Sequence, residues 1–172
     1  MSQALKHIKW CLNKAEKELK EGKKHRGLIK ISPDLNKAIG YLNKAQHNFN
    51  AIDYFEEGGY GDWAVSAAFY TIYHCFLSVL AKHGYESRNQ ECTLSVIQHL
   101  KEEGKINLDD KFIIALRHEE DLKDKQETAI EMREELQYGA ETETKKNTIN
   151  WLKKLCSEIL DITKEEIYKN NI

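Results

Sequence analysis

One run constrains this chain more than any other. Residues 63–81 read WAVSAAFYTIYHCFLSVLA, nineteen positions without a formal charge in a sequence that is 31% Asp, Glu, Lys and Arg. A stretch of about 18–20 uncharged residues is long enough to cross a bilayer as a helix. Here Ser66, Thr71, His74 and Ser78 dilute the apolar character, and the flanking sequence is densely charged. The run therefore predicts a central helix in a soluble protein, apolar on all sides because other helices surround it. The rest of the chain must supply those helices.

The flanking segments have the required periodicity. Leu5, Ile8, Leu12, Ala15 and Leu19 fall on one face of a helix over residues 2–21, and Gly22 suits its left-handed end. Residues 23–31 read as a basic connector. Ser32, Pro33 and Asp34 form a helix start, with serine as cap, proline in the first turn and aspartate at the positive end of the dipole. Leu35, Ala38, Leu42, Ala45, Phe49, Ile52 and Phe55 then make one stripe. Gly58, Gly59 and Gly61 mark a turn without the glycine spacing of a phosphate-binding loop. Asp62 is the expected cap of the uncharged helix, which should end near His83 and Gly84.

Three further helical patterns follow. Residues 90–103 turn Cys92, Val96, Ile97 and Leu100 inward, and Gly104 stops them. Residues 109–138 bury Phe112, Ile113, Leu116, Ile130 and Leu136, with a polar interruption near Asp124. Residues 144–169 bury Ile149, Leu152, Leu155, Ile159 and Ile162. Pro33 is the one proline, and no segment alternates as a strand does. The expected fold is all-α: an antiparallel up-and-down bundle of four to five helices over residues 32–172, preceded by an N-terminal helix and basic connector over residues 1–31.

Charge and side-chain chemistry exclude several activities. A net charge of −2 argues against a broad electrostatic grip on nucleic acid. Lys23, Lys24, His25, Arg26 and Lys30 form one basic cluster, read as a solvated loop. Cys11, Cys75, Cys92 and Cys156 form no CxxC, and the start of the chain has no secretory apolar segment. They read as four reduced thiols of a cytoplasmic protein. His7 and Cys11 share a helix face, but two ligands do not complete a tetrahedral site. His118-Glu119-Glu120-Asp121-Leu122 begins like HExxH and lacks the second histidine. Glu119, Glu120, Asp121 and Asp124 read as a solvated face shared with Lys123 and Lys125. No metal and no cofactor is expected, and no serine or cysteine nucleophile has a recognisable setting.

Two segments carry more information. Tyr70 and His74 are four apart on the uncharged helix and share a face. Arg133 and Gln137 share a face nearer the C-terminus, with Tyr138 just beyond. Arginine is scarce, with Arg26, Arg88, Arg117 and Arg133 the only examples. Its planar fork suits phosphate and carboxylate. The bland readings are a satisfied core histidine and an ordinary helix end with Arg133 paired to Glu134 or a nearby acid.

Phe69, Tyr70, Tyr73 and His74 resemble the small-xx-aromatic-Tyr-xx-aromatic-His pattern of HEPN domains, a nucleotide-binding helical family. Residues 133–138 resemble that family's Arg-xx-small-Asp-Tyr segment, with Gln137 in place of the acid. The resemblance spans about residues 34–165. It implies a helical bundle, a homodimer, sometimes a nucleotidyltransferase partner, and a site binding RNA or a nucleotide. By this resemblance the ligand residues are Arg133, Tyr138, Gln137, Tyr70, His74 and Ser66, with Arg117 and His118 secondary. HEPN ribonucleases carry Arg-x4-6-His, and here neither Arg117 nor Arg133 has a histidine at that spacing. Ala67 also stands where the family often has arginine. Tyr138 occupies the histidine position after Arg133, and a phenol is a poor base at neutral pH. The expected function is a HEPN-like binding module without ribonuclease activity. The alternatives are a metal-independent ribonuclease, toxin-like, with a rearranged site using Arg133 with His74 or His118, and a structural scaffold.

Overall fold

The computed structural model describes residues 2–118 and 128–169. Among them are seven helices and one two-stranded antiparallel sheet. Helix α1 (Gln3–Lys20) is capped by the Ser2 side chain, which accepts from the Leu5 N–H. Gly22 follows at φ 71, a conformation that favours glycine. Strand β1 (Leu28–Lys30) lies in the connector and pairs with β2 (Tyr85–Ser87), Ile29 opposite Glu86. These strands are too short to show a periodic pattern, which is why the sequence reads as purely helical.

Helix α2 (Leu35–Glu57) begins later than the serine-proline signal suggests. Its cap is Asp34, whose carboxylate accepts from the Lys37 N–H at 2.8 Å. Ser32 and Pro33 stay extended because Ile31 N–H donates to the Gly84 carbonyl at 2.9 Å, prolonging the strand pairing. Helix α3 (Gly61–Lys82) is the uncharged run. Asp62 lies in its first turn rather than at the cap, which is Tyr60. Helices α4 (Gln90–Glu102), α5 (Asp110–Ile114), α6 (Ala129–Tyr138) and α7 (Lys146–Tyr168) complete the fold. The pattern over 109–138 is thus two helices, and its charged middle, with Glu119, Glu120, Asp121, Lys123, Asp124 and Lys125, lies outside the described residues.

α3 is the centre of the core, packed against α2, α4, α6 and α7. It is long and apolar enough to cross a membrane, yet 78% of its most apolar window is buried by its neighbours. Its two buried hydroxyls, Thr71 and Ser78, are satisfied within the bundle. Ser78 donates to the Ala38 carbonyl of α2 at 2.7 Å, and Thr71 to the Ala67 carbonyl at 2.9 Å. Leu19 and Leu35, expected inside, sit at helix ends and are about half exposed, 49% and 52%.

α1 packs on α4, and Ile8, Cys11 and Leu28 join the same core as α3. Here the expectation of four reduced thiols fails, because Cys11 and Cys92 form a disulfide. They are 81 residues apart, so only the pairing of β1 with β2, which returns the chain to α1, reveals their adjacency. The connector crosses α1 closely. A Cβ at Gly27 would stand 2.8 Å from the Cys11 carbonyl oxygen. Cys75 and Cys156 are free and buried, and burial pushes the Cys75 thiol up to about 12.

The basic connector is not uniformly solvated. His25 is buried and its Nε2 lies 3.3 Å from Glu86 of β2, while Lys23, Lys24, Arg26 and Lys30 remain exposed. Glu86 also accepts from Lys37 and Arg88, so one carboxylate ties β2 to α2 and the connector.

Candidate functional site

The helical spacing of α3 sets Phe69, Tyr70, Tyr73 and His74 on adjoining faces. The Phe69 ring packs edge-on against Tyr70 at 5.1 Å between centroids and lies parallel to Tyr73 at 6.1 Å. Phe69 is buried, whereas Tyr70 is 41% exposed. His74 stands 6.1 Å from both tyrosines and 6.2 Å from Tyr41 of α2. These aromatics form one contiguous cluster from Phe69 to Tyr41 of α2, with Tyr70 its most exposed member.

Nδ1 of His74 faces two partners, the Tyr70 carbonyl oxygen at 2.7 Å and Nδ2 of Asn48 on α2 at 3.1 Å. The carbonyl accepts a proton from Nδ1 whereas the Asn48 amide donates to its lone pair, so the two bonds belong to opposite tautomers of the ring. Burial holds the His74 pKa below the ordinary histidine value, so the ring is neutral at pH 7. Burial also raises the Tyr73 phenol.

α6 brings Arg133 to the other end of this surface. Thr128 caps α6 and orients its first turn. The Arg133 guanidinium lies 4.5 Å over the Phe69 ring, a cation–π geometry. One terminal nitrogen donates to the Gln137 side-chain oxygen at 2.9 Å, the other to Glu134 at 3.2 Å. The side chain is only 11% exposed, and Nε is buried without a partner among the described residues. Glu134 also approaches His118, whose Nδ1 is 3.8 Å from its second oxygen. Arg133 and His118, fifteen residues apart in sequence, therefore flank one carboxylate.

The structure thus gathers some expected site residues and separates others. Arg133 meets Gln137 directly and His118 through Glu134, while Phe69 joins Arg133 to Tyr70, which in turn adjoins His74. Ser66 is half-buried one turn before Tyr70. Tyr138 is 77% exposed at the end of α6, clear of the Arg133 contacts. Arg117 lines a separate groove between α1 and α4 with His7 and Glu91. The pairing of Arg133 with Glu134 is the one expected of an ordinary helix end; sequence reasoning missed the approach of Glu134 to His118 and the α2 wall of Asn48 and Tyr41. Only the α2–α3 packing exposes the latter two.

A second positively charged surface lies elsewhere. Lys14, Lys17, Lys23, Lys24, Arg26 and Arg88 line an open groove of about 840 Å³ beside α1. Glu18 and Glu21 lie in the same groove and engage the Arg26 backbone N–H and Lys23, which offsets its charge.

Residues 39–167, most of the chain, match the HEPN domain. No curated protein matches the chain. The matched segment runs from α2 through α7 and contains both the α3 aromatic surface and Arg133, whereas α1 and β1 precede it. By the extent of that match, this chain belongs to the HEPN domain family.

Proposed function

We propose that this HEPN domain is a binding module for a nucleotide or an RNA end, received on the α3–α6 surface without cleavage. The observation that carries the reading is the state of Arg133. Its guanidinium is nearly buried, stacked on Phe69, and its Nε has no partner among the described residues. A buried donor left unmatched costs about 1–3 kcal/mol, which a phosphate oxygen or a water would recover. The partly exposed Tyr70 beside it offers a stacking face for a base. Gln137, bonded to Arg133, extends the rim. Cleavage is disfavoured because the residue five positions after Arg133 is Tyr138 rather than histidine.

In the proposed reading the protein works as a cytoplasmic homodimer, with a nucleotidyltransferase as its second partner. In this reading residues 1–31 are an added N-terminal element on the bundle of residues 32–172.

One observation favours the ribonuclease alternative. Glu134 joins Arg133 to His118, so an arginine and a histidine share a site despite the sequence spacing. Incubating a mixed RNA pool with the protein in EDTA separates the two readings. Retained RNA with intact ends, lost in Arg133→Ala, supports the binding module. Cleavage lost in both Arg133→Ala and His118→Ala makes the protein a ribonuclease. Neither retention nor cleavage leaves the scaffold.

A further inference from the structure

Three metal-ligating side chains converge where α1 meets α4. His7 and Cys11 are four apart on α1 and share a face, and Cys92, in the first turn of α4, meets them. One ligand atom from each lies within 4.8 Å of the other two. Cys11 and Cys92 are fully buried, while His7 is half-buried and lines a groove of about 540 Å³ with Gln3, Glu91 and Gln98. Two cysteines and a histidine drawn from two helices are a ligand set that suits zinc.

The disulfide is the oxidised state of this cluster. A reducing compartment does not maintain such a bond. A dithiol reductant transfers two electrons and two protons to it, becoming a disulfide itself and leaving Cys11 and Cys92 as thiols. We propose that in this reduced state His7, Cys11 and Cys92 bind one Zn²⁺, with water from the adjoining groove in the fourth position. Binding replaces the two thiol protons, which leave to solvent, and gives two thiolates and one neutral imidazole around a dication. Zinc–sulfur bonds of about 2.3 Å at a tetrahedral centre hold two sulfurs ~3.8 Å apart, and the three ligand atoms already lie within 4.8 Å of one another. The positive end of α4 favours a thiolate at Cys92, whose own N–H is fixed by the Asn89 cap at 2.9 Å. The metal then fastens α1 to α4 in the reduced state, as the disulfide does in the oxidised one.

The test uses the full chain, reduced with a non-chelating phosphine and titrated with Co²⁺ and then Zn²⁺. The expected result is one equivalent of cobalt with thiolate-to-metal absorption in the near ultraviolet, displaced by zinc, and one retained zinc per chain by elemental analysis. Cys92→Ser abolishes the absorption, and Cys75→Ser leaves it intact. His7→Gln, at the half-buried rim, keeps the helical circular dichroism and weakens zinc at least ~10-fold. His7→Gln therefore carries the test if Cys92→Ser fails to fold. Reduced wild type that gives no thiolate–cobalt absorption and retains no zinc overturns the proposal. So does His7→Gln that binds as tightly as wild type.

Discussion

The guanidinium of Arg133 lies 4.5 Å over the ring of Phe69, joining α6 to the central helix. Phe69 thereby has two roles, as core residue and as platform. Phe69→Leu keeps most of the volume but removes the π face. Its expected cost is about 1–1.5 kcal/mol in denaturant unfolding, with nucleotide binding reduced further than stability. Equal losses in binding and folding would show that the platform is only structural.

Arg133→Lys should not restore binding. A lysine keeps the charge but loses the planar stacking and the fork that reaches Gln137 and Glu134 together. Calorimetric titration with a nucleotide checks this, and a fully active lysine variant would mean that charge alone matters.

The Cys11–Cys92 disulfide closes a loop of sequence separation 81. In the chain-entropy model that is worth roughly 4–5 kcal/mol. Oxidised protein should therefore unfold at higher denaturant than reduced, metal-free protein, with the difference absent in Cys11→Ala. Identical midpoints with and without reductant would show that the bond does not stabilise the fold.

Acid should weaken the fold through His74. Burial lowers its pKa from the ordinary 6.5, so the unfolded chain binds the proton more readily than the folded one. Its contribution is complete above about pH 6.5 and is lost as pH falls toward the folded-state value. His83, also lowered by burial despite Glu166 at 3.3 Å, adds in the same direction. Unfolding midpoints between pH 7.5 and 5 should fall less steeply in His74→Phe than in wild type. Parallel curves would remove His74 from the account.

Much of this was legible in the residues themselves. The uncharged run could be stable only inside other helices, and the stripes of Leu42, Ala45 and Ile52 and of Leu152, Leu155 and Ile159 supplied their faces. The HEPN pattern around Phe69 and His74 lay on one helix, so periodicity and motif pointed to the same place. What escaped depended on contacts between distant segments. The strand pairing of Ile29 with Glu86 and the Cys11–Cys92 bond leave no local signature, and Glu134 reads as one more surface acid until His118 is found beside it.

The most direct test of the central claim is a titration of a 5′-labelled single-stranded RNA by wild type and Arg133→Ala in EDTA, read by anisotropy and then by denaturing gel. The account predicts saturable binding by wild type, at least ~10-fold weaker binding by Arg133→Ala from loss of one buried charge-assisted contact, and full-length RNA in both. Equal affinity of the two proteins, or RNA shortened by wild type alone, would contradict it.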